Sequence, residues 1–325
     1  MAEPENTPSN IQAPTEQDAS TILQKTLGKT VQKIERFPTG LANYVYDVRT
    51  TDGQNLVVRL ARPDLKHFFE GAIGWYDRLK GKGVPLPALH YADASGLQHG
   101  FPVMIMDRLP GEDLGDVYRQ LSSDQKRQLA RKMVKIQNSV ATLPFGKGYG
   151  YAESYDDPDL HKSWTDVLNA SLERSNGRIK NAGVFDIAAV DKVRNLIKKN
   201  EAYFSKVKPI PFLDDATTKN VVIAPDGALS GIVDVDHVAF GDPLFAVALT
   251  RMSLLAKEYD TEYTDDWAEE LRVTEEQKKA LDVYTALFCV DFMGEVGQTF
   301  NKAQPEPIDQ TQVSKLNQTI DELAR

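Results

Sequence analysis

The sequence predicts an α+β fold in two lobes, an antiparallel sheet with one inserted helix followed by a mainly helical half. Three observations carry this expectation. Strand-like runs with hairpin turns crowd the first third of the chain. Helix-period patterns dominate from Gly111 onward. Between later helices, Phe212-Leu-Asp-Asp-Ala-Thr-Thr-Lys-Asn220 and then Asp234 read as a polar loop and a tight hairpin.

Residues 1–22 are polar and proline-containing, and a disordered tail is expected there. The first lobe then covers 23–106. Residues 31–37, 43–48 and 55–60 have strand patterns, and Thr51-Asp-Gly53 is a hairpin turn between the last two. A helix over 64–80 is broken by Gly83-Val-Pro-Leu-Pro87, because proline lacks the N–H that a helix interior needs. Residues 101–106 give a further strand. A hinge is expected at 107–111 and a helical lobe over 112–325. There Ser122 and Gln125 form a capping box, and Leu129, Met133, Ile136 and Val140 share one helical face. Further helices are expected over 164–175, 186–207 and 275–299, and a last one carries Val313, Leu316, Ile320 and Leu323.

The 325 residues carry a net charge of −9, with 41% hydrophobic and 26% charged residues, as in a globular protein. The acidic balance argues against a nucleic-acid partner, which calls for basic patches, and permits a cationic substrate. With Cys289 alone, no intramolecular disulfide can form, and its apolar neighbours predict a buried thiol. No run is apolar and long enough for a membrane span, and the first residues lack a signal-peptide pattern, so a cytoplasmic protein, monomeric or homodimeric, is expected.

The chemistry concentrates after residue 212. Asp215 stands five residues before Asn220, the Asp-x4-Asn spacing in which the carboxylate accepts a hydroxyl proton and the amide oxygen holds a metal. Val221-Val-Ile, the turn Pro225-Asp-Gly227 and Gly231-Ile-Val-Asp234 form a hairpin that brings Asn220 beside Asp234. Two oxygen ligands so placed suit Mg²⁺ bridging nucleotide phosphates. Only six residues separate Asp234 from Gly241, too few for a peptide-docking activation segment, so a small hydroxylated acceptor is expected.

The loop, the hairpin, Ile232-Val-Asp234 and Gly241-Asp-Pro243 together resemble the aminoglycoside phosphotransferase-like family of small-molecule kinases, to which choline kinases are related. The resemblance begins near Ile34. It implies a protein-kinase-like fold, ATP or GTP as co-substrate, Mg²⁺, and phosphoryl transfer to a small molecule. It further implies that Thr39, Gly40 and Asn43 lie over the nucleotide phosphates and that Arg59 is the third-strand basic residue. Glu70 would be its partner on the next helix, and Asp107 would meet the nucleotide at the hinge.

The chain departs from that family at one point. Leu213-Asp214-Asp215 stands where His-Gly-Asp is usual, and leucine supplies packing but no hydrogen bonds. A second reading follows, a catalytically weak kinase-like regulator that binds nucleotide or metabolite. Asp214 adds a carboxylate beside the expected base. Asp236 and His237 follow Asp234, and Asp236 reads either as a second metal contact or as a plain loop residue. Asp242 before Pro243 reads as a helix cap that also braces the catalytic loop. In the apolar stretch 283–293, Asp291, and Glu295 one turn on, need a partner, either a substrate cation or hydroxyl or an internal Arg or Lys. The acidic run 258–276 around Trp267 is expected as solvated surface, with the rim of a cationic site as the other reading.

Overall fold

The computed structural model describes residues 13–37, 43–298 and 308–324. It opens with a helix, α1 (Glu16–Leu27), so residues 16–22 belong to ordered structure and not to the expected tail. Thr15 and Asp18 form a capping box, and Gly28 closes the helix in the left-handed conformation. Ala19, Ile22 and Leu23 bury one stripe against Tyr46 and Val48. That i, i+3, i+4 spacing was the signal overlooked in a polar segment.

The first sheet has five antiparallel strands in the order β1-β2-β3-β5-β4. They are β1 (Val31–Arg36), β2 (Tyr44–Thr50), β3 (Asn55–Leu60), β4 (Leu89–Asp93) and β5 (Val103–Asp107), with α2 (Lys66–Lys80) inserted after β3. The sequence reading missed β4, whose polar residues and partial exposure mark an edge strand. From α2, Trp75 donates its indole N–H to the Ala152 carbonyl at 2.7 Å, tying the first lobe to the second.

At the crossing, Gly111 has φ +116°, and a Cβ there would lie 1.9 Å from the Ile223 carbonyl oxygen, so only glycine fits. Beyond it come β6 (Glu112–Asp113), α3 (Leu114–Val117), α4 (Ser123–Val140), β7 (Gly150–Ala152), α5 (Trp164–Ala182), α6 (Ala188–Lys199) and α7 (Glu201–Phe204). The helix expected over 186–207 breaks at Asn200, whose side-chain amide donates back to the Leu196 carbonyl at 2.9 Å. Then follow β8 (Ile210–Phe212), β9 (Val221–Ile223), β10 (Leu229–Ile232), β11 (Val238–Gly241), α8 (Leu244–Ala256), α9 (Glu262–Glu270), α10 (Glu275–Glu295) and α11 (Gln310–Leu323).

One large core lies among α4, α5, α8 and α10, with Trp164, Tyr284 and Phe245 at its centre and Cys289 buried within it. The acidic run is not plain solvated surface. Tyr263 and Trp267 on α9 are buried, and its acids pair with α4: Asp266 with Arg127 at 3.0 Å, Glu270 with Arg131 at 2.6 Å. Among the described residues, no helix is long and apolar enough to cross a membrane.

Candidate active site

Two small sheets, β10-β9-β6 and β7-β11-β8, hold the site. The loop 213–220 leaves β8 and enters β9. Leu213 is buried, and its backbone is clasped by Gln137 of α4. The Gln137 amide donates to the Leu213 carbonyl at 2.7 Å and accepts from the Leu213 N–H at 2.9 Å. The hydrogen bonds that a leucine side chain cannot make are thus supplied to its backbone. Gln137 was legible as a polar residue on the apolar stripe of α4, beside Met133 and Val140, and was overlooked.

Asp214 and Asp215 point in different directions. Asp214 is buried, with one carboxylate oxygen 3.1 Å from His237 Nε2. Burial alone would depress the His237 pKa, but Asp214, then Asp236 and Asp215, overturn that and raise it to about 9. Asp215 is open to solvent in the cleft, yet protein crowds around it. That crowding, then the carboxylates of Asp214 and Asp234, push it up to about 7. Thr217 donates its hydroxyl to Asp215 at 3.2 Å.

Asn220 is buried, and its amide N–H donates to the Asp215 carbonyl at 2.9 Å. This fixes the amide's orientation, and among the described residues no hydrogen bond occupies its oxygen. The hairpin pairs Val221 with Ile232, and Val233 N–H donates to the Asn220 carbonyl at 2.9 Å. Asp234 therefore emerges two residues beyond the last ladder pair, next to the residue bonded to Asn220. Its φ of +58° is unusual for a residue other than glycine and is the kind of strain that functional sites retain.

Arg59 of β3 is buried and reaches across the cleft. Both terminal nitrogens donate to the two carboxylate oxygens of Asp236, and Nη2 lies 3.0 Å from Asp234. With its amide oxygen turned inward, Asn43 accepts from Arg59 Nε at 3.2 Å. The expected partner Glu70 is exposed and does not meet Arg59. Phe69, one residue earlier, takes the inward face of α2 and sets its ring 5.3 Å from the guanidinium, which turns Glu70 outward. Asp107 ends β5 with its carboxylate 2.6 Å from His90 Nε2. Thr39 and Gly40 lie outside the described residues.

Asp291 and Glu295 lie in the last turns of α10. Asp291 is already paired: Arg174 of α5 donates to both its oxygens at 3.0 Å, and Ser175 donates as well. Glu295 has no side-chain hydrogen bond or ion pair among the described residues. Burial, then Asp291, raise its carboxyl pKa against the pull of Lys219. Tyr151 of β7 joins the two halves of the site. Burial, then Asp214 and Asp291, push its hydroxyl pKa far up.

Asp242 is structural. Buried, it accepts from Tyr203 at 2.7 Å, from Tyr284 at 2.9 Å and from the Leu244 N–H at 3.1 Å. It caps the start of α8 as expected, but its side-chain partners lie in the helical core and not in the catalytic loop.

The arrangement sets a carboxylate, an amide oxygen and a second carboxylate on one loop and hairpin, facing a buried guanidinium. Comparison with known proteins gives the family and the fold. The model of the phosphotransferase enzyme family matches residues 33–281. A thermostable mutant of aminoglycoside phosphotransferase APH(4)-Ia, in a ternary complex with AMP-PNP and hygromycin B, superposes with TM-score 0.66 at 15% identity, covering 95% of this chain and 98% of that one. The GDP complex of aminoglycoside 2'-phosphotransferase-IIIa gives 0.68 at 16% identity over 96% and 99%. The streptomycin-ATP-APH(2")-IIa ternary complex gives 0.63 at 16% over 96% and 99%. A search of curated proteins finds no match. The fold is kinase-like, and the chain belongs to the phosphotransferase enzyme family.

Proposed function

We propose that this protein moves the γ-phosphoryl group of ATP or GTP to a hydroxyl of a small molecule, with Asp215 as the base. The observation that carries this reading is the loop and hairpin geometry. The bond from Asn220 to the Asp215 carbonyl and the bond from Val233 to the Asn220 carbonyl fix the spacing of base and metal ligands. Asp215, raised toward neutrality, is suited to accept or orient a hydroxyl proton. Asn220 and Asp234 would hold Mg²⁺. Their oxygens are hard donors, no hydrogen bond among the described residues engages the Asn220 oxygen, and Mg²⁺ takes few protein ligands alongside phosphate and water. Bound there, the ion would neutralise charge on the transferring phosphates. Arg59, positioned by Asp236, would meet the phosphates from the first lobe, with Asn43 beside it. Since phosphoryl transfer asks little covalent chemistry of the protein, positioning supplies most of the rate.

The acceptor wall narrows the substrate class. Asp291 is neutralised by Arg174, so it no longer calls for a substrate cation. Neutral sugars and polyols become the first candidates. Glu295, half-buried and with no hydrogen bond or ion pair among the described residues, favours a second class, amino sugars or amino alcohols whose ammonium would meet it. The regulator reading rested on Leu213, and the Gln137 clasp weakens it.

A transfer screen with γ-labelled ATP and GTP tests the proposal across sugars, polyols, amino sugars, amino alcohols and nucleosides. Mg²⁺-dependent label in an acceptor is expected. Tight Mg-nucleotide binding with no transfer to any acceptor or to water would favour the regulator.

A further inference from the structure

Strand register brings together two segments that are far apart in sequence. In the pairing of β11 with β8, Ala239 faces Phe212. Two residues back along β11 and two forward from β8, His237 comes opposite Asp214. In the pairing of β11 with β7, Ala239 faces Tyr151, so His237 comes opposite Glu153 on the other side. The side chains follow the register. His237 meets Asp214 at 3.1 Å, and the Tyr151 ring stands edge-on to the imidazole at 5.2 Å. The segment is also gripped from the first lobe. A Cβ at Gly71 of α2 would lie 3.0 Å from Glu153 Cβ and 3.2 Å from the Asp236 carbonyl oxygen, so α2 comes close enough that an added Cβ would make these neighbours give way by a few tenths of an ångström.

His237 is three residues from Asp234, and Asp214 is next to Asp215. Their contact therefore bolts the segment carrying the candidate metal ligand to the loop carrying the candidate base. Asp214 is buried, and a buried carboxylate without a partner would move or take up a proton. We infer that His237 is a positioning residue, and that its contact with Asp214 fixes Asp215 relative to Asp234 for phosphoryl transfer. Gln137 holds the loop one residue earlier, at Leu213, through the backbone. The His237 contact is the complementary tether, a side-chain bond from the metal-bearing segment to the residue beside Asp215. The inference rests on the proposed roles of Asp215 and Asp234.

The test compares His237→Gln, which keeps an N–H donor, with His237→Ala. The probe is steady-state turnover of Mg-ATP or Mg-GTP, with hydrogen exchange of backbone amides 213–220 as a readout independent of activity. Loss of a group that orients a catalytic ligand costs about 10–100-fold. The alanine variant should lose kcat on that scale, the glutamine variant less, with nucleotide KM within about twofold, as expected when only transition-state contacts suffer. Exchange over 213–220 should rise while the melting temperature holds. Asp214→Asn combined with His237→Ala should be no worse than the poorer single variant, the non-additivity of one shared contact. Unchanged kcat in the alanine variant would overturn the inference, as would unchanged exchange or additive losses. A general loss of melting temperature in both variants would also do so, since it would assign His237 to stability. A wild-type protein without nucleotide turnover would contradict the proposed function instead, and the exchange data would then decide the tether alone.

Discussion

From Phe212 to Gly241 the candidate catalytic groups hang from strand ladders: β8 and β11 set Asp214 against His237, and β9 and β10 set Asn220 against Val233, next to Asp234. Across the cleft, Arg59 sits in an equally regular strand, yet its position depends on Asp236, a partner 177 residues away in the chain. The first arrangement follows from local turn chemistry and strand pairing. The second follows from two lobes meeting. Register has a period of two and fixes side chains wherever one face is buried. A cross-lobe ion pair leaves no such periodic trace.

Changes on the ladder side should be the most severe. Asp234→Ala should lower nucleotide kcat/KM by at least about 10², the scale of losing one electrostatic contact to the transferring group. Calorimetry should show Mg-nucleotide binding weakened far more than binding of the free nucleoside. Equal weakening of both would move the metal off the hairpin.

The cross-lobe pair should respond differently. Asp236→Asn leaves Arg59 with Asp234 and Asn43, so nucleotide KM should rise by about tenfold, one charge-assisted bond's worth. Glu70→Gln should change neither KM nor stability beyond about 0.5 kcal/mol, as for an exposed residue. The reverse ranking would restore Glu70 as the partner of Arg59.

A smaller effect should appear at the loop's entry. Gln137→Leu leaves the Leu213 N–H and carbonyl unpaired in the core, each costing roughly 1–3 kcal/mol. Melting should fall by several degrees, with kcat down less than in the metal-site variant. A melt identical to wild type would show that the clasp is dispensable.

This contrast explains what the sequence disclosed. The hairpin, the Asp215 and Asn220 spacing and the helical second lobe were legible because period and turn residues encode them. Glu70 was the wrong partner because helix phase at Phe69 turned it away. Asp291 looked available for a substrate because Arg174, 117 residues earlier, could not be placed beside it from sequence. His237 was noticed only as a loop residue, although its register with Asp214 follows once β8 and β11 are paired. The polar stretch before β1 hid α1 because its apolar stripe is three residues wide.

The most direct test of the account sets Asp215→Asn beside Asp214→Asn in Mg-nucleotide turnover, with nucleotide affinity measured on each. Asp215→Asn should lose about 10²–10⁴ in kcat, the range for removal of a general base, and keep its affinity. Asp214→Asn should lose less, through its contact with His237. An Asp214 variant more damaged than the Asp215 variant would contradict the register on which the site is built.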